Sequence, residues 1–299
     1  MTARSLPTNT PLKIHGAQYY RATILVKKLL VGLFMVCVVT FTLFPFYWML
    51  KSSFQTPADI LALPPIWFPS EFTLDAYIRA VTLYPIPRYL LNSLFVSSIT
   101  AVLATALASS AAYVIARYKF PGATFFLGVF IFTQLIPGIT RIFPIYFLIQ
   151  DLGLINTYAG LIIAYLGFSV PFSALMLQGY FRSSCPPELE EAALIDGCNY
   201  FTAFTKVMMP VSMPGIAAVS IFTFLGAWND FLWASMILNQ GQMKTLQIGL
   251  RDFMSESGNL QRINSFMAAC VIATIPALLL YRFLQGGMVS GLSAGSMKG

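Results

Sequence analysis

The chain has 299 residues, of which 57% are hydrophobic and 10% are charged, and its mean hydropathy is +0.73. Soluble domains carry about 25% charged residues, so this composition excludes an ordinary soluble protein. The formal net charge of +7 comes from Lys and Arg placed between apolar segments, which indicates membrane topology rather than binding to nucleic acid. One histidine and four cysteines without C-x-x-C spacing predict no metal site.

Six stretches of the chain are long and apolar enough to cross a bilayer as helices, which requires about 20 residues each. They lack the alternation of apolar and polar residues that marks a barrel strand. Because backbone groups in lipid must be satisfied internally, the sequence predicts an all-α membrane protein with six transmembrane helices. The predicted spans are residues 29–50, 90–116, 122–140, 157–180, 216–238 and 264–285.

The segment before the first span, residues 1–28, is predicted to be cytoplasmic. The first span ends in Phe-Tyr-Trp-Met-Leu-Lys rather than in a small-residue cleavage site, so a retained helix is expected rather than a signal peptide. With six spans, both termini lie on one side, and the loops on that side are the richer in basic residues, which assigns them to the cytoplasm. The basic residues of those loops are Arg4, Lys13, Arg21, Lys27, Lys28, Arg117, Lys119, Arg182, Lys206 and Lys298.

Two outer features follow along the chain. Residues 51–89, here called the outer cap, are rich in Pro and carry Trp67 and Phe68, which suits a folded element at the outer interface. The third span ends in a run broken by Pro137 and Pro144, which predicts that Arg141 lies at or beyond the outer interface.

The fifth span contains a carboxylate, Asp230, in the run Trp228-Asn229-Asp230-Phe231. An ionisable residue at membrane depth is either functional or part of a hydrogen bond that locks helix packing, and the sequence leaves both readings open. A proton-driven transporter would need a relay of such groups over several helices, which the sequence lacks. No G-x-x-x-x-G-K-[ST] loop occurs either, so the energy source is expected outside this chain.

Gly291-Leu-Ser-Ala-Gly295 matches the G-x-S-x-G nucleophile elbow of serine hydrolases. That elbow needs a preceding strand and a histidine base. Ser293 instead follows a predicted transmembrane helix, and the single histidine is His15 in the N-terminal segment. The hydrolase is therefore not favoured.

Four of the eleven acidic residues fall within residues 186–197, between the fourth and fifth spans. Pro187 suits a first helical turn, the acids that follow suit the positive end of the helix dipole, and Gly197 suits a helix stop. The sequence predicts a short, capped helix outside the bilayer. These features alone fit a solvated surface helix and a docking helix equally well.

The wider run resembles the EAA loop of ABC-importer permeases. Its family pattern is met by Glu191-Ala-Ala, Asp196-Gly197, Phe204, Pro210 and Pro214-Gly215, with Cys198 and Met209 as departures. Other runs are similar to sugar-uptake permeases of the maltose-transporter type: Asn92-Ser93-Leu94, Ala112-Tyr113, Ala116-Arg117, Leu152–Thr157, Trp228–Phe231 and the ending Gly291–Gly299.

This resemblance implies a type I ABC importer permease in a bacterial or archaeal cytoplasmic membrane, with three regions: the cytoplasmic segment 1–28, the permease domain 29–285 and the cytoplasmic tail 286–299. Residues 182–215, here called the coupling loop, would dock on a separate ATPase. The implied partners are a second permease subunit, two ATPase subunits, an extracytoplasmic solute-binding protein and the lipid bilayer. The chain is expected to bind no cofactor itself, with ATP and Mg on the ATPases.

The resemblance also assigns residues to roles. Residues expected in ATPase coupling are Glu188, Glu191, Ala192, Ala193, Asp196, Gly197, Phe204, Pro210, Pro214 and Gly215. The tail residues Gly295, Lys298 and Gly299 are expected to approach the ATPases. Candidates for the solute path, chosen for their polar or aromatic groups at membrane depth, are Gln134, Trp228, Asn229 and Asp230.

The function expected is that of a transport subunit, with no catalysis of its own, for a sugar or oligosaccharide. A polyol or a glycerol-phosphate-type solute is the alternative cargo. A stand-alone secondary transporter or channel is the alternative class, and it predicts activity of the purified chain alone.

Overall fold

The computed structural model describes the backbone of residues 15–255 and 262–296, and side chains at Tyr20, 24–254 and 262–282. The described parts are almost entirely helical. Their α-helices are α1 His15–Ser53, α2 Pro57–Leu61, α3 Asp75–Thr82, α4 Ile86–Arg117, α5 Ala123–Leu135, α6 Ile142–Asp151, α7 Tyr158–Ser184, α8 Pro187–Ile195, α9 Tyr200–Ala203, α10 Met209–Val211, α11 Met213–Asn229, α12 Leu232–Ile237, α13 Leu246–Ser255 and α14 Ile263–Ser296.

Four helices of the described chain are long and apolar enough to span a membrane, within α1, α4, α7 and α14. Two further candidates are bent pairs. One joins α5 to the segment Gly138–Asp151 at 103°, and the other joins Tyr200–Val211 to α11 at 78°. Counting each bent pair as one span gives six, in agreement with the six-helix fold predicted from the sequence.

Several helix boundaries differ from the predicted spans, and the first span differs most at its start, since α1 begins at His15 rather than at residue 29. The third span was predicted to residue 140, but α5 ends at Leu135, because Pro137 interrupts the hydrogen-bond ladder. The fifth was predicted as continuous over 216–238, but it breaks at Asp230 between α11 and α12. The sixth continues past residue 285 to Ser296, since glycine weakens a helix without ending it.

The chain divides into two compact units, of which the first ends at Lys51 and the second starts at Ser52. In the first, α1 carries apolar side chains on all sides, and those between Leu25 and Phe46 are largely exposed. A helix that is apolar all round suits lipid or another apolar surface.

In the second unit, α4, α7 and α11 pack against one another. The contact face of α4 is a stripe of small buried residues, Ala101, Ala104, Ala108 and Ala112. Small side chains let helix backbones approach closely in membranes, where hydrogen bonds between helices add specificity. Two such bonds link hydroxyls: Thr105 to Ser220 at 2.9 Å, and Ser173 to Thr223 at 3.2 Å.

The outer cap is folded, as predicted, and contains α2 and α3. Asp59 in α2 is buried and accepts hydrogen bonds from the Ser70 hydroxyl at 2.6 Å and the Ser70 amide at 3.1 Å. Trp67 and Phe68 are exposed, which is consistent with aromatic contact at a membrane interface.

Candidate functional site

The coupling loop begins with a short free-standing helix, α8, directly after α7. Pro187 occupies its first turn, with Glu188 and Glu190 in the same turn. Two hydrogen bonds end the helix as a Schellman motif, from the Cys198 amide to the Ala193 carbonyl at 3.0 Å and from the Gly197 amide to the Leu194 carbonyl at 3.1 Å. Gly197 has φ +88°, which glycine adopts without the steric penalty of a Cβ. The predicted helix and its glycine stop are therefore both present.

The base of α8 is fixed by an ion pair with the end of α4. The Nε of Arg117, the last residue of α4, lies 3.4 Å from Oε2 of Glu190, and both side chains are about nine-tenths buried (9% and 10% exposed). The Tyr118 hydroxyl donates a hydrogen bond to the other carboxylate oxygen at 3.0 Å. Burial raises the pKa of Tyr118 above its usual value, which keeps the phenol a donor toward Glu190.

Arg117 also holds the chain between α7 and α8. Its guanidinium donates to the carbonyl of Cys185 and, at 3.4 Å, to that of Pro186. The Cys185 thiol lies 3.1 Å from the Ser212 hydroxyl, immediately before α11. Arg117 thus holds the start of the coupling loop, and the contact between Cys185 and Ser212 joins that start to the end of the loop.

The predicted coupling residues fall into two groups. Exposed on or beside α8 are Glu188, Glu191, Ala192, Asp196 and Gly197, whereas Ala193 is buried. The same surface carries exposed apolar side chains, Ile195 at 86% and Phe201 at 75% exposed. An acidic helix with an apolar tip that its own chain leaves uncovered is a surface suited to another protein.

The second group returns the loop to the membrane. Phe204 packs on Tyr113 of α4, with ring centroids 4.7 Å apart, at the start of a π-helical turn over Phe204–Met208. Pro210 and Pro214 flank the bend between α10 and α11. Gly215 lies so close to α7 that a Cβ there would be 2.6 Å from Cγ of Tyr180. These residues shape the loop.

The solute-path candidates do not form one cluster. Gln134 is exposed and donates to the Phe168 carbonyl of α7 at 3.4 Å. Asp230 accepts from the Tyr165 hydroxyl of α7 at 2.7 Å and from the Ala234 amide at 3.0 Å, so its carboxylate caps α12. Phe168 and Tyr165 pack against each other, with ring centroids 5.8 Å apart, so α7 links the two polar residues.

Trp228 and Asn229 lie apart from that link. The Trp228 ring is 3% exposed and stacks on Phe224 at 5.7 Å in the core against α4 and α14. Asn229 is exposed at the end of α11. Of this pair, only Asn229 presents its side chain at the surface of the described chain.

The tail was expected to approach the ATPases through Gly295, Lys298 and Gly299. Gly295 is in the last turn of α14, whereas Lys298 and Gly299 lie outside the described residues. The G-x-S-x-G run at 291–295 is helical and lacks the strand-to-helix turn of a nucleophile elbow.

The sequence reasoning missed the role of Arg117, Tyr118 and Glu190. Arg117 was counted as a topological charge and Glu190 as a dipole-stabilising acid. A signal was present, because Glu190 shares one face of α8 with Ala193 at i, i+3 spacing, opposite Glu188 and Ala192. No distance along the chain, however, indicates that residues 117 and 190 meet.

Comparison with known proteins gives a consistent result. Residues 104–293 match the family model described as a binding-protein-dependent transport system inner membrane component. The chain is 33% identical to the diacetylchitobiose uptake system permease protein DasC of Streptomyces coelicolor, covering 86% of this chain and 92% of that protein. It is also 33% identical to the trehalose/maltose transport system permease protein MalG of Thermococcus litoralis, covering 91% and 96%.

A solved structure shares the fold. A chain of a bacterial ABC transporter involved in the import of the acidic polysaccharide alginate superposes with a TM-score of 0.75 at 21% identity, over 93% of this chain and 99% of that one.

Proposed function

Because the chain belongs to the family of binding-protein-dependent transport system inner membrane components, we propose that it is a permease subunit of an ATP-driven ABC importer for a sugar or oligosaccharide. With a second permease it forms the membrane path, and a solute-binding protein delivers the cargo. Both termini lie in the cytoplasm of a bacterial or archaeal cell.

The observation that carries this proposal is the coupling loop. Its helix α8 presents Glu191 and Ala192 outward, while Glu190 on the opposite side is fixed to Arg117 at the end of a membrane span. A displacement of α8 by an ATPase is therefore transmitted to α4 through a short buried contact. ATP and Mg²⁺ are bound by the ATPase subunits, and this chain contributes the mechanical connection.

Transport then follows from rigid-body motion of the packed helices. The small-residue face of α4 packs against α7 and α11, so these helices move together when the loop is pulled. Rocking of such a body against the second permease alternates access to a path near the midplane.

A carbohydrate cargo is supported by the names of similar permeases, which include uptake systems for diacetylchitobiose and for trehalose/maltose. On this chain, the exposed amides of Gln134 and Asn229 are the proposed contacts, since amides both donate to and accept from sugar hydroxyls. Asp230 supports the path by capping α12. The buried Trp228 ring supports the path by fixing the end of α11, where Asn229 lies.

Reconstitution tests the proposal. The chain is expressed in its native host, co-purified with the proteins that assemble with it and placed in proteoliposomes with ATP inside and the solute-binding protein outside. Uptake of a radiolabelled panel of sugars, polyols and glycerol phosphate is then measured. We expect ATP-dependent uptake of a sugar. Uptake by this chain alone, driven by an ion gradient, would contradict the proposal and indicate a secondary transporter.

A further inference from the structure

A basic pocket lies beside the coupling loop, where three membrane-spanning segments end on the same side. It has a volume of about 720 Å³. Arg117 is the last residue of α4, Ala123 the first of α5, and Arg182 lies in the last turn of α7. Because all three line the pocket, it lies at the level of the membrane surface.

The pocket has an excess of positive charge. Its lining includes Arg117, Lys119 and Arg182 and no carboxylate among the described residues. Glu190 offsets the charge of Arg117. Arg182 has a neutral neighbour, Gln178, whose side-chain oxygen can accept from the guanidinium at 2.8 to 3.2 Å. The exposed Lys119 and Arg182 therefore leave two positive charges facing one cavity.

An apolar surface continues from the pocket along α5. None of the side chains of this 13-residue helix is fully buried, and Phe125, Phe126 and Phe132 are 68%, 49% and 63% exposed. Phe125 and Phe126 directly follow the pocket residues Ala123 and Thr124. A cationic cavity at the headgroup level and an aromatic helix face below it match the two ends of a phospholipid.

We propose that this pocket binds the phosphate headgroup of an anionic phospholipid, whose acyl chains lie along α5. Lys119 and Arg182 contact the phosphate, and the start of α5 adds the positive end of its dipole. Since Arg117 lines the same pocket, the lipid touches the residue that holds Glu190. Anionic lipid thereby stabilises the base of the coupling helix, a role that goes beyond carrying the solute.

An acidic segment of an ATPase is the competing occupant, and the lining argues against it. From α8 the pocket includes only Pro187, the residue nearest the membrane. The exposed Glu191 and Ala192, which face away from the fixed side of the helix, do not line it. The pocket therefore lies beside the start of α5 rather than at the exposed side of α8.

The test uses the intact importer complex, reconstituted in nanodiscs of phosphatidylcholine with 20% phosphatidylglycerol. The complex is then extracted, and native mass spectrometry measures how much phosphatidylglycerol it retains. The variant is Lys119→Gln/Arg182→Gln. The matched control, Lys27→Gln/Lys28→Gln, removes two exposed positive charges outside both the pocket and the coupling loop. We expect the pocket variant to bind the lipid roughly tenfold or more weakly, and the control to bind as the wild type does.

Four results would overturn the proposal. Two concern the variants: lipid retention by the pocket variant equal to that of the wild type, or a loss of lipid in the control equal to that in the pocket variant. The third is displacement of the lipid by millimolar inorganic phosphate, which would indicate a free-anion site, and the fourth is retention by the isolated permease pair but not by the complex, which would indicate that an ATPase covers the pocket. Sugar uptake is measured on the same samples. Lipid retention without uptake of any sugar would refute the proposed function and leave the lipid site standing.

Discussion

Arg117 and Glu190 are 73 residues apart in the chain, yet their side chains meet at 3.4 Å between the end of α4 and the first turn of α8. The contact is buried and is completed by the Tyr118 hydroxyl. It links the end of a membrane-spanning helix to the helix that we propose contacts the ATPase. Its disruption should therefore affect stability and coupling together.

Replacing Glu190 by Gln is expected to leave the buried Arg117 without its counter-charge. Removing one partner of a buried pair destabilises by about 3–5 kcal/mol, so we expect a lower Tm in detergent and loss of most ATP-driven uptake. The control Glu188→Gln changes an exposed acid in the same turn, and it should shift stability by less than about 0.5 kcal/mol. Equal behaviour of the two variants would show that the ion pair is not structural.

Gly197→Ala is expected to strain the end of α8, because φ +88° is unfavourable for a residue with a Cβ. The space around this glycine is open, so the penalty is conformational, about 1–2 kcal/mol. We expect faster proteolysis within the coupling loop and weaker ATPase co-purification. Gly226→Ala in α11, where φ is not positive and nothing lies within 4 Å, is the control and should be neutral or stabilising.

Much of this was predictable from the sequence. The six spans follow from hydropathy, the coupling helix from Pro187 and Gly197, and the family from the run between Glu191 and Gly215; the fold and family are confirmed. The interruption of the third span was indicated by Pro137, although its predicted end at residue 140 was five residues too late. The break at Asp230 and the burial of Trp228 were not predicted, because packing between helices decides which side of an apolar segment is buried. The Arg117–Glu190 pair is a tertiary contact, for which a single sequence carries no distance.

Gly215→Ala is expected to overpack the contact of α11 with α7, since its Cβ would be 2.6 Å from Cγ of Tyr180. Overpacking costs about 1–3 kcal/mol, seen as a lower Tm. Gly179→Ala, beside Tyr180 but with nothing within 4 Å, should leave Tm unchanged. Adding Tyr180→Ala should relieve the clash in Gly215→Ala, and the absence of any such relief would contradict this packing.

Substitutions at Asp230 and Asn229 distinguish a structural role from a solute-binding role. Asp230→Ala removes the cap of α12 and the partner of the Tyr165 hydroxyl. We expect the free energy of unfolding to fall by about 1–3 kcal/mol, which is measured as a lower Tm. Asn229→Ala should leave Tm unchanged and raise the KM for uptake severalfold. The reverse pattern would assign solute contact to Asp230.

The outer cap should be sensitive to acid through Asp59. The pKa of Asp59 lies below its usual 3.8, and the largest cause is the hydrogen bond that its carboxylate accepts from the Ser70 hydroxyl. A carboxyl whose pKa is lower in the folded state than in the unfolded state stabilises the fold when the pH is above the unfolded-state pKa. This stabilisation is lost as the pH falls through the folded-state pKa. We expect the Tm difference between wild type and Asp59→Asn to be largest above pH 5 and to shrink below pH 4. A constant difference would exclude this linkage.

The central claim is that α8 meets an ATPase through its exposed side. A photo-reactive p-benzoylphenylalanine at Ala192, exposed on α8, tests it in intact cells, with the same group at the exposed Ile78 of the outer cap as control. We expect an ATPase adduct from position 192 and none from position 78. Absence of an ATPase adduct at 192 in a complex that transports, or an adduct of equal yield at 78, would contradict it.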